Sequence, residues 1–546
     1  MTDVDVLIAG AGPVGLTAAV ELRRRGVGCR VIDRLAAPMP YAKAVGIQPR
    51  TLELWESAGV LARALDAATP MLGQLVFVNG QQVARMEMTL PPEVPYGFMA
   101  LPQYETERLL AERLTELGGH VERGVELVSF EQDADGVTAV LRGPDGESRV
   151  RAGYLVGCDG AHSVVRKGLG LSFEGGAFED QYMLGDVEVD WHQPASYGIR
   201  SMHQVDGHTD DVLVAIPLPG LRRYRMSMLV PDELAAPPGG VEHGFTSGPA
   251  PELRHIQAVL DRLAPEPTRA SRLRWSSVFR ISHRIVDSYG RGRVFVAGDA
   301  AHIHPPTGAQ GMNTGIQDAV DLAWRLATAV SGRAADGLLD SYDAERRPVG
   351  EEVVGRTVRH AQEGFADDDP ATMILREAQL LVAYPGSPVV GEGADADALK
   401  GGPRAGQRAP DCRGLRRASV AFGVRLHELL DGRGHTLLLY ADDPGQLTDL
   451  TAAAAATLDA AGDLVEVRLV LAGESDIPDE VGDGLLDGVS VPVVRDAAGE
   501  FRAAYGAMGG CCYLVRPDGQ VGFRAGHARA DELTAHLARI VAPAPG

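Results

Sequence analysis

The chain has 546 residues, room for about two to four domains, and its 45% hydrophobic and 23% charged content is that of a globular protein. Asp and Glu number 74 against 52 Lys and Arg, and the resulting net charge of −22 disfavours nucleic acid or a membrane surface as a partner. Five cysteines with no CxxC and no zinc spacing do not make a disulfide framework and point to a cytoplasmic location.

Val4–Ala9 is a short, apolar, β-branched run, the pattern of a buried parallel strand. Gly10-Ala11-Gly12-Pro13-Val14-Gly15 follows at once, then a predicted helix over 16–25 that stops at Gly26, then a strand over 29–32 closed by Asp33. This is a complete βαβ unit carrying GxGxxG. Gly10 permits the tight turn, Gly12 lets backbone approach a pyrophosphate, and Gly15 lets helix and strand pack closely. The helix start offers N–H donors to phosphate, and Asp33 is placed to accept from a ribose diol. NAD and FAD both fit this unit. Asp3 and Asp5 stand where a signal peptide carries basic residues, and the glycines interrupt the apolar run, so the N-terminus reads poorly as a leader or a membrane span.

Further along, Tyr154-Leu155-Val156-Gly157-Cys158-Asp159-Gly160-Ala161-His162-Ser163-Val164-Val165-Arg166 contains an Asp-Gly pair that would, alone, be an ordinary turn. Between about 171 and 280 the pattern predicts strands at 183–189, 212–216 and 224–230. Met202, Met226 and Met228 are candidate pocket residues there, though core is their commoner role, and Arg225 and Arg284 read as structural ion pairs before they read as substrate ligands. A buried strand over 294–297 then runs into Gly298-Asp299, a Pro/Gly loop through Pro305, Gly308 and Gly311, and a helix over 313–329. A carboxylate at a strand end accepts from a sugar-alcohol hydroxyl, and a helix start stabilises negative charge on a flat ligand. His302 and His304 form an HxH, but their place after Gly-Asp favours a structural or loop role over a metal, and no metal is expected.

Together these segments resemble the flavoprotein monooxygenases of the aromatic-hydroxylase type, the group containing p-hydroxybenzoate hydroxylase and phenol hydroxylase. The resemblance spans roughly residues 1–390, with three fingerprints in order: Gly10 to Gly15, Asp159-Gly160 through Arg166, and Gly298 to Asn313. It implies an α/β fold: a Rossmann-like FAD-binding domain over 1–175 and 276–395, an inserted substrate-binding β-sheet domain over 176–275, and a C-terminal domain over 400–546. That last segment resembles the thioredoxin-like domain of the longer aromatic hydroxylases, in the order β-α-β-α-β-β-α. Cys511 and Cys512 are adjacent and cannot replace the missing CxxC, so a structural or dimer-forming role is expected.

The resemblance also implies the site. FAD is expected against Gly10, Gly12, Pro13 and Gly15, with Asp33 and Arg34 at the end of the second strand. Lys43 and Ala44 resemble a flavin-loop segment that usually carries Arg first, and Gln103 precedes a helix over 104–117 where the family uses a glutamine near FAD. Asp159, Gly160 and Arg166 are expected where FAD and the incoming nicotinamide meet. Gly298, Asp299, Pro305, Gly308, Gln310, Gly311, Met312 and Asn313 complete the cradle.

One GxGxxG with no second nucleotide fold implies transient NADPH or NADH binding over the flavin. The family's chemistry is hydroxylation of an aromatic, here a phenolic and polycyclic compound, by molecular oxygen through a flavin C4a-hydroperoxide. Baeyer–Villiger insertion uses the same scaffold and the motifs do not separate the two; a non-catalytic flavin-binding protein is the rival from another class. The Trp-x-Trp-x-Ile-Pro signature of halogenases is missing, Trp55, Trp191, Trp275 and Trp324 being scattered. No catalytic triad or paired carboxylate stands out, as suits a reaction whose hard step belongs to the cofactor. A homo-oligomer is compatible with the sequence.

Overall fold

The computed structural model describes residues 2–40, 44–235, 250–305, 307–363, 369–418, 420–473, 475–481 and 491–543. A strand apolar on both faces needs neighbours on both sides. Val4–Ala9 has them, running parallel to Cys29–Asp33 on one side and to Gly146–Gly157 on the other. Val121–Arg123 and Val294–Val296 extend this sheet in parallel beyond those two. Helix Pro13–Arg24 packs between Gln103–Glu116 and Gln310–Val330. It starts three residues earlier than the sequence pattern suggests because proline is well placed in a first turn, where its missing N–H would have no helical partner.

The second sheet runs His302–Ile303, Ala270–Val286, Phe173–Val189, Arg223–Leu229, His208–Pro217, Tyr197–Val205, Gly73–Val78 and Gln81–Glu87. It therefore draws strands from outside 176–275, and Gly73–Val78 joins it parallel to Tyr197–Val205. Side chains alternate across a sheet. One set, including Met183, Leu213, Ala215, Met226 and Met228, buries against Ile256, Val259 and Leu260 of helix Leu253–Leu263. The other set, including Tyr182, Leu184, Val214 and Ile216, faces away from that helix. Ile216 packs against Val45 and Ala100, so this second face looks onto the 44–48 segment. Met226 and Met228, read as pocket candidates, are core under the helix, whereas Met202 shares the face of Val212 and Val214.

The third sheet has the order Gly391–Glu392, Val521–Ala525, Cys512–Val515, His435–Ala441, Val465–Ala472, Val493–Asp496, Leu415–Arg416. Between 435 and 537 the described elements run β-α-β-β-α-β-β-α, one strand beyond the predicted order. That strand, Val493–Asp496, has four residues and no readable alternation. The Cys511 and Cys512 thiols are buried, and desolvation pushes Cys511 up to about 12 and Cys512 well above its ordinary value, so neither is a reactive thiolate at neutral pH.

A fully buried ion network bolts this third region to the first. Arg516 donates to both oxygens of Glu345 at 2.6 and 2.7 Å and pairs with Asp518 and Asp321, while Arg325 donates to Asp321 at 2.6 Å and to Glu345 at 2.5 Å. Arg408–Glu53 and Arg425–Glu56 add two bridges to helix Pro49–Ala58. Among the described residues no helix is long and apolar enough to cross a membrane.

Candidate active site

The glycine turn is shaped by what surrounds it. Gly10 sits at φ +102°, and a Cβ there would stand 2.2 Å from the Cys158 carbonyl oxygen; one at Gly15 would stand 2.0 Å from the Gly10 carbonyl oxygen. Both positions exclude any side chain. Gly12 meets nothing within 4 Å, and it caps helix Pro13–Arg24 without a side-chain bond. The turn is thus pressed on its protein side and open on the other, where the first N–H groups of the helix are available to a phosphate. Asp33 accepts from the Ala11 N–H at 2.8 Å and the Leu35 N–H at 2.8 Å, with Arg123 at 3.4 Å, so its carboxylate is held at the turn with lone pairs to spare. Arg34 beside it is exposed.

Cys158 and Asp159 abut this turn. Asp159 Oδ2 accepts from the N–H groups of Val164 and Val165 at 2.7 and 3.2 Å, at the start of helix Val164–Gly168. Its Oδ1 is buried with no partner among the described residues, and burial raises the pKa of the group. Gly160 stands at φ +76° with open space on its Cα. Arg166 donates to the carbonyls of Ala161 at 2.7 Å and Ala300 at 3.2 Å and stacks on Phe173 at 3.9 Å, fastening the Asp-Gly segment to the Gly-Asp segment.

Gly298, at φ +60°, fits against Val14, and its N–H donates to Asp318 at 3.1 Å. Asp318 also receives Arg346 Nε at 2.8 Å and lies 2.8 Å from His302 Nε2, so His302 is committed to a buried carboxylate. Asp299, half-buried, has no partner among the described residues. His304 lies 2.8 Å from the Pro305 carbonyl oxygen through Nδ1, and burial pulls its pKa down to about 4, so it is neutral at physiological pH. Of the described acidic groups, Asp321, Glu345 and Asp518 lie close enough to share a metal ion, but Arg325 and Arg516 already pair with all three.

Helix Gln310–Val330 begins after two left-handed residues, Gly308 at φ +71° and Ala309 at +55°. Asn313 locks this turn to the next segment. Its amide donates to the carbonyls of Gly46 at 2.9 Å and Ala309 at 2.8 Å, and its oxygen accepts from the Gln48 N–H at 3.0 Å and the Thr51 hydroxyl at 2.8 Å. Gln310, fully buried, donates to the Gly308 carbonyl at 3.0 Å and accepts from Gln379 at 2.8 Å. Gly311 and Met312 stay half-buried at the mouth of the turn. A Cβ at Gly46 would stand 2.5 Å from that of Ala309, so segments 44–48 and 308–313 touch. Gln103 exchanges two bonds with the Ala44 backbone, at 3.0 and 3.2 Å. Lys43 lies outside the described residues. Gln48 and Gln379, which complete the network, carry no motif that sequence reading could have found.

All three fingerprints therefore meet in one cradle. The Gly12 turn offers N–H donors, and Asp33, Asp159 and Asp299 offer acceptors with capacity to spare, and these residues fit a dinucleotide with a flat ring system at the helix Gln310–Val330 start. Residues 3–357 match the family described as FAD binding domain, and residues 402–544 match the aromatic-ring hydroxylase C-terminal family. The chain is 34% identical to the 6-methylpretetramide 4-monooxygenase of Streptomyces rimosus, covering 97% of this chain and 92% of that protein. It resembles the structure of the flavin-dependent monooxygenase PieE in complex with FAD and substrate, at 26% identity and a TM-score of 0.79 over 99% of both chains. It also resembles aklavinone-11 hydroxylase in a ternary complex with FAD and aklavinone, at 26% identity and a TM-score of 0.77 over 99% of both chains.

Proposed function

The chain belongs to the FAD-binding aromatic-ring hydroxylases, a family of flavin-dependent monooxygenases, and from that premise we propose that it consumes NADPH or NADH to hydroxylate a polycyclic phenol. The observation that carries this reading is the cradle itself: three loops tied together by Arg166 and Asn313, with acidic oxygens left open at Asp159 and Asp299.

When bound, FAD supplies the electron transfer and the activation of oxygen. The chain's own residues bind, orient and shield. In this reading the Gly12 turn holds the pyrophosphate, while Asp33 and Asp299 accept from sugar hydroxyls. Asp159, whose carboxyl is shifted upward by burial, presents Oδ1 to the same ligand. The positive end of helix Gln310–Val330 favours negative charge on the ring system, and Asn313 and Gln310 fix the backbone that presents it. His304, neutral, adds no competing cation. The sheet face bearing Tyr182, Leu184, Val214, Ile216 and Phe279 covers the far side of the substrate and keeps water out. The aromatic pair and apolar side chains on that face suit a polycyclic substrate, as do relatives whose names refer to a pretetramide and to aklavinone.

The test is direct. Purified protein should be yellow, and its NADPH or NADH oxidation should rise when a polycyclic phenol such as an anthraquinone is added. A protein unable to take up FAD would overturn the reading.

A further inference from the structure

A guanidinium nitrogen shielded from water is normally paired, because an unpartnered polar atom in a protein interior costs free energy. On the wall described above, Arg225 obeys this rule, with its guanidinium on Asp186 and over the Trp275 ring at 5.1 Å. Arg223 likewise reaches the Tyr104 hydroxyl at 3.2 Å. Arg200 does not. Its Nε is buried without a partner, and its guanidinium has no hydrogen bond or ion pair among the described residues.

Register fixes where it lies. Arg200 stands opposite Val214 on one neighbouring strand and Val76 on the other. Val214 continues across the sheet to Ser227, Leu184 and Ser277. This row is on the Ile216 face, which looks onto segment 44–48, and not on the face under helix Leu253–Leu263. Arg200, Val214, Ser227 and Leu184 are all half-buried, as residues lining a recess are. Tyr182 and Phe279 form a tilted aromatic pair at 5.8 Å on the same face, and Arg200 is near enough for its charge to pull the Tyr182 hydroxyl down against the larger upward effects of burial and of the Asp180 carboxylate.

We propose that Arg200 is a specificity-determining residue that pairs with an anionic oxygen of the aromatic substrate. The inference rests on the reading of this face as the substrate wall. The shared chemistry is a delocalised oxyanion, which a guanidinium holds through charge-assisted hydrogen bonds, and its source is a phenolate or a ring carboxylate. The Tyr182–Phe279 pair gives the rings an aromatic surface beside the cation.

The experiment titrates holoenzyme with matched probes and follows the flavin absorbance. Anthraquinone-2-carboxylate is compared with its neutral carboxamide, and alizarin at a pH where its phenol is ionised with its neutral dimethyl ether. Wild type should prefer the anion in at least one pair, and which pair does so identifies the source. Arg200→Gln should weaken that anion about 10- to 100-fold and change its neutral partner less than about threefold. Arg200→Lys, which keeps the charge but not the fork, should retain part of the preference and serves as the readout if Arg200→Gln loses flavin. Equal loss for anion and neutral partner, or no loss for either, overturns the role of Arg200 and leaves the flavin site untouched. Wild-type holoenzyme that binds none of the four overturns the wall reading and the role of Arg200 with it.

Discussion

Helix Gln310–Val330 touches two regions that treat polar groups in opposite ways. Its first turn borders the cradle, where Asp299 has no partner among the described residues and Asp159 Oδ1 and Gln48 Oε1 are buried without one. About 20 Å along the same helix, Asp321 and Arg325 enter the junction with the C-terminal region, where Glu345, Arg516 and Asp518 close a network with every charge paired. One chain and one helix thus give carboxylates left open at one end and carboxylates paired with arginine at the other. In the proposed reading the open carboxylates at the cradle are completed by FAD, whereas those at the junction are completed by arginine.

The sharpest way to break this comparison is to open the junction. Arg516→Ala leaves Asp518 buried without its cation, and leaves Glu345 and Asp321 to share Arg325 alone. Loss of about 3–5 kcal/mol of stability is expected in denaturant titration. An unchanged midpoint would show that the network is not what joins the regions. For the same reason, truncation near residue 400 should yield aggregated protein, since it strips the cover from Arg325 and Glu345.

At the cradle the loss should appear in cofactor, not in fold. Asp299→Ala removes an acceptor that no protein group uses, so apo stability should stay near wild type. FAD affinity should fall by about 1.5–3 kcal/mol, roughly 10- to 100-fold, read as flavin absorbance after desalting. Retention equal to wild type would mean that Asp299 faces no ligand.

A smaller, graded effect comes from pH. Burial pulls His536 and His435 down to about 3 and His304 to about 4. Each is neutral in the folded chain and, below about 6.5, takes a proton more readily when unfolded. The stability they contribute is therefore complete above pH 6.5 and declines as pH falls toward their folded values. His536, both of whose ring nitrogens lack partners, adds up to about 1.4 kcal/mol per pH unit to that decline. His536→Leu should flatten the slope of stability against pH between 6.5 and 4; an unchanged slope would place the acid sensitivity elsewhere.

Backbone-driven features were readable in the sequence. The positive φ at Gly10 and Gly298, and the close approach at Gly15, admit only glycine, so those positions carry their geometry in their identity. Strand alternation was also visible in 183–189 and 224–230. Which face looks onto segment 44–48 was not, because it depends on helix Leu253–Leu263 covering Met226 and Met228 on the other. Pairings such as Arg516 with Glu345, or Gln310 with Gln379, join residues far apart in the chain and leave no periodic trace. Arg200 was invisible for a related reason: a lone arginine in a strand acquires meaning only when its neighbours are seen to leave it unpaired.

The most direct test of the whole account follows oxygen. Holoenzyme is supplied with NADPH or NADH, a polycyclic phenol that stimulates its oxidation, and isotopically labelled dioxygen, and the product is weighed by mass spectrometry. The account predicts a product heavier by a single labelled oxygen atom, formed in step with oxidation of the nicotinamide. Unlabelled product, or nicotinamide oxidation that yields only hydrogen peroxide with every phenol offered, would contradict it.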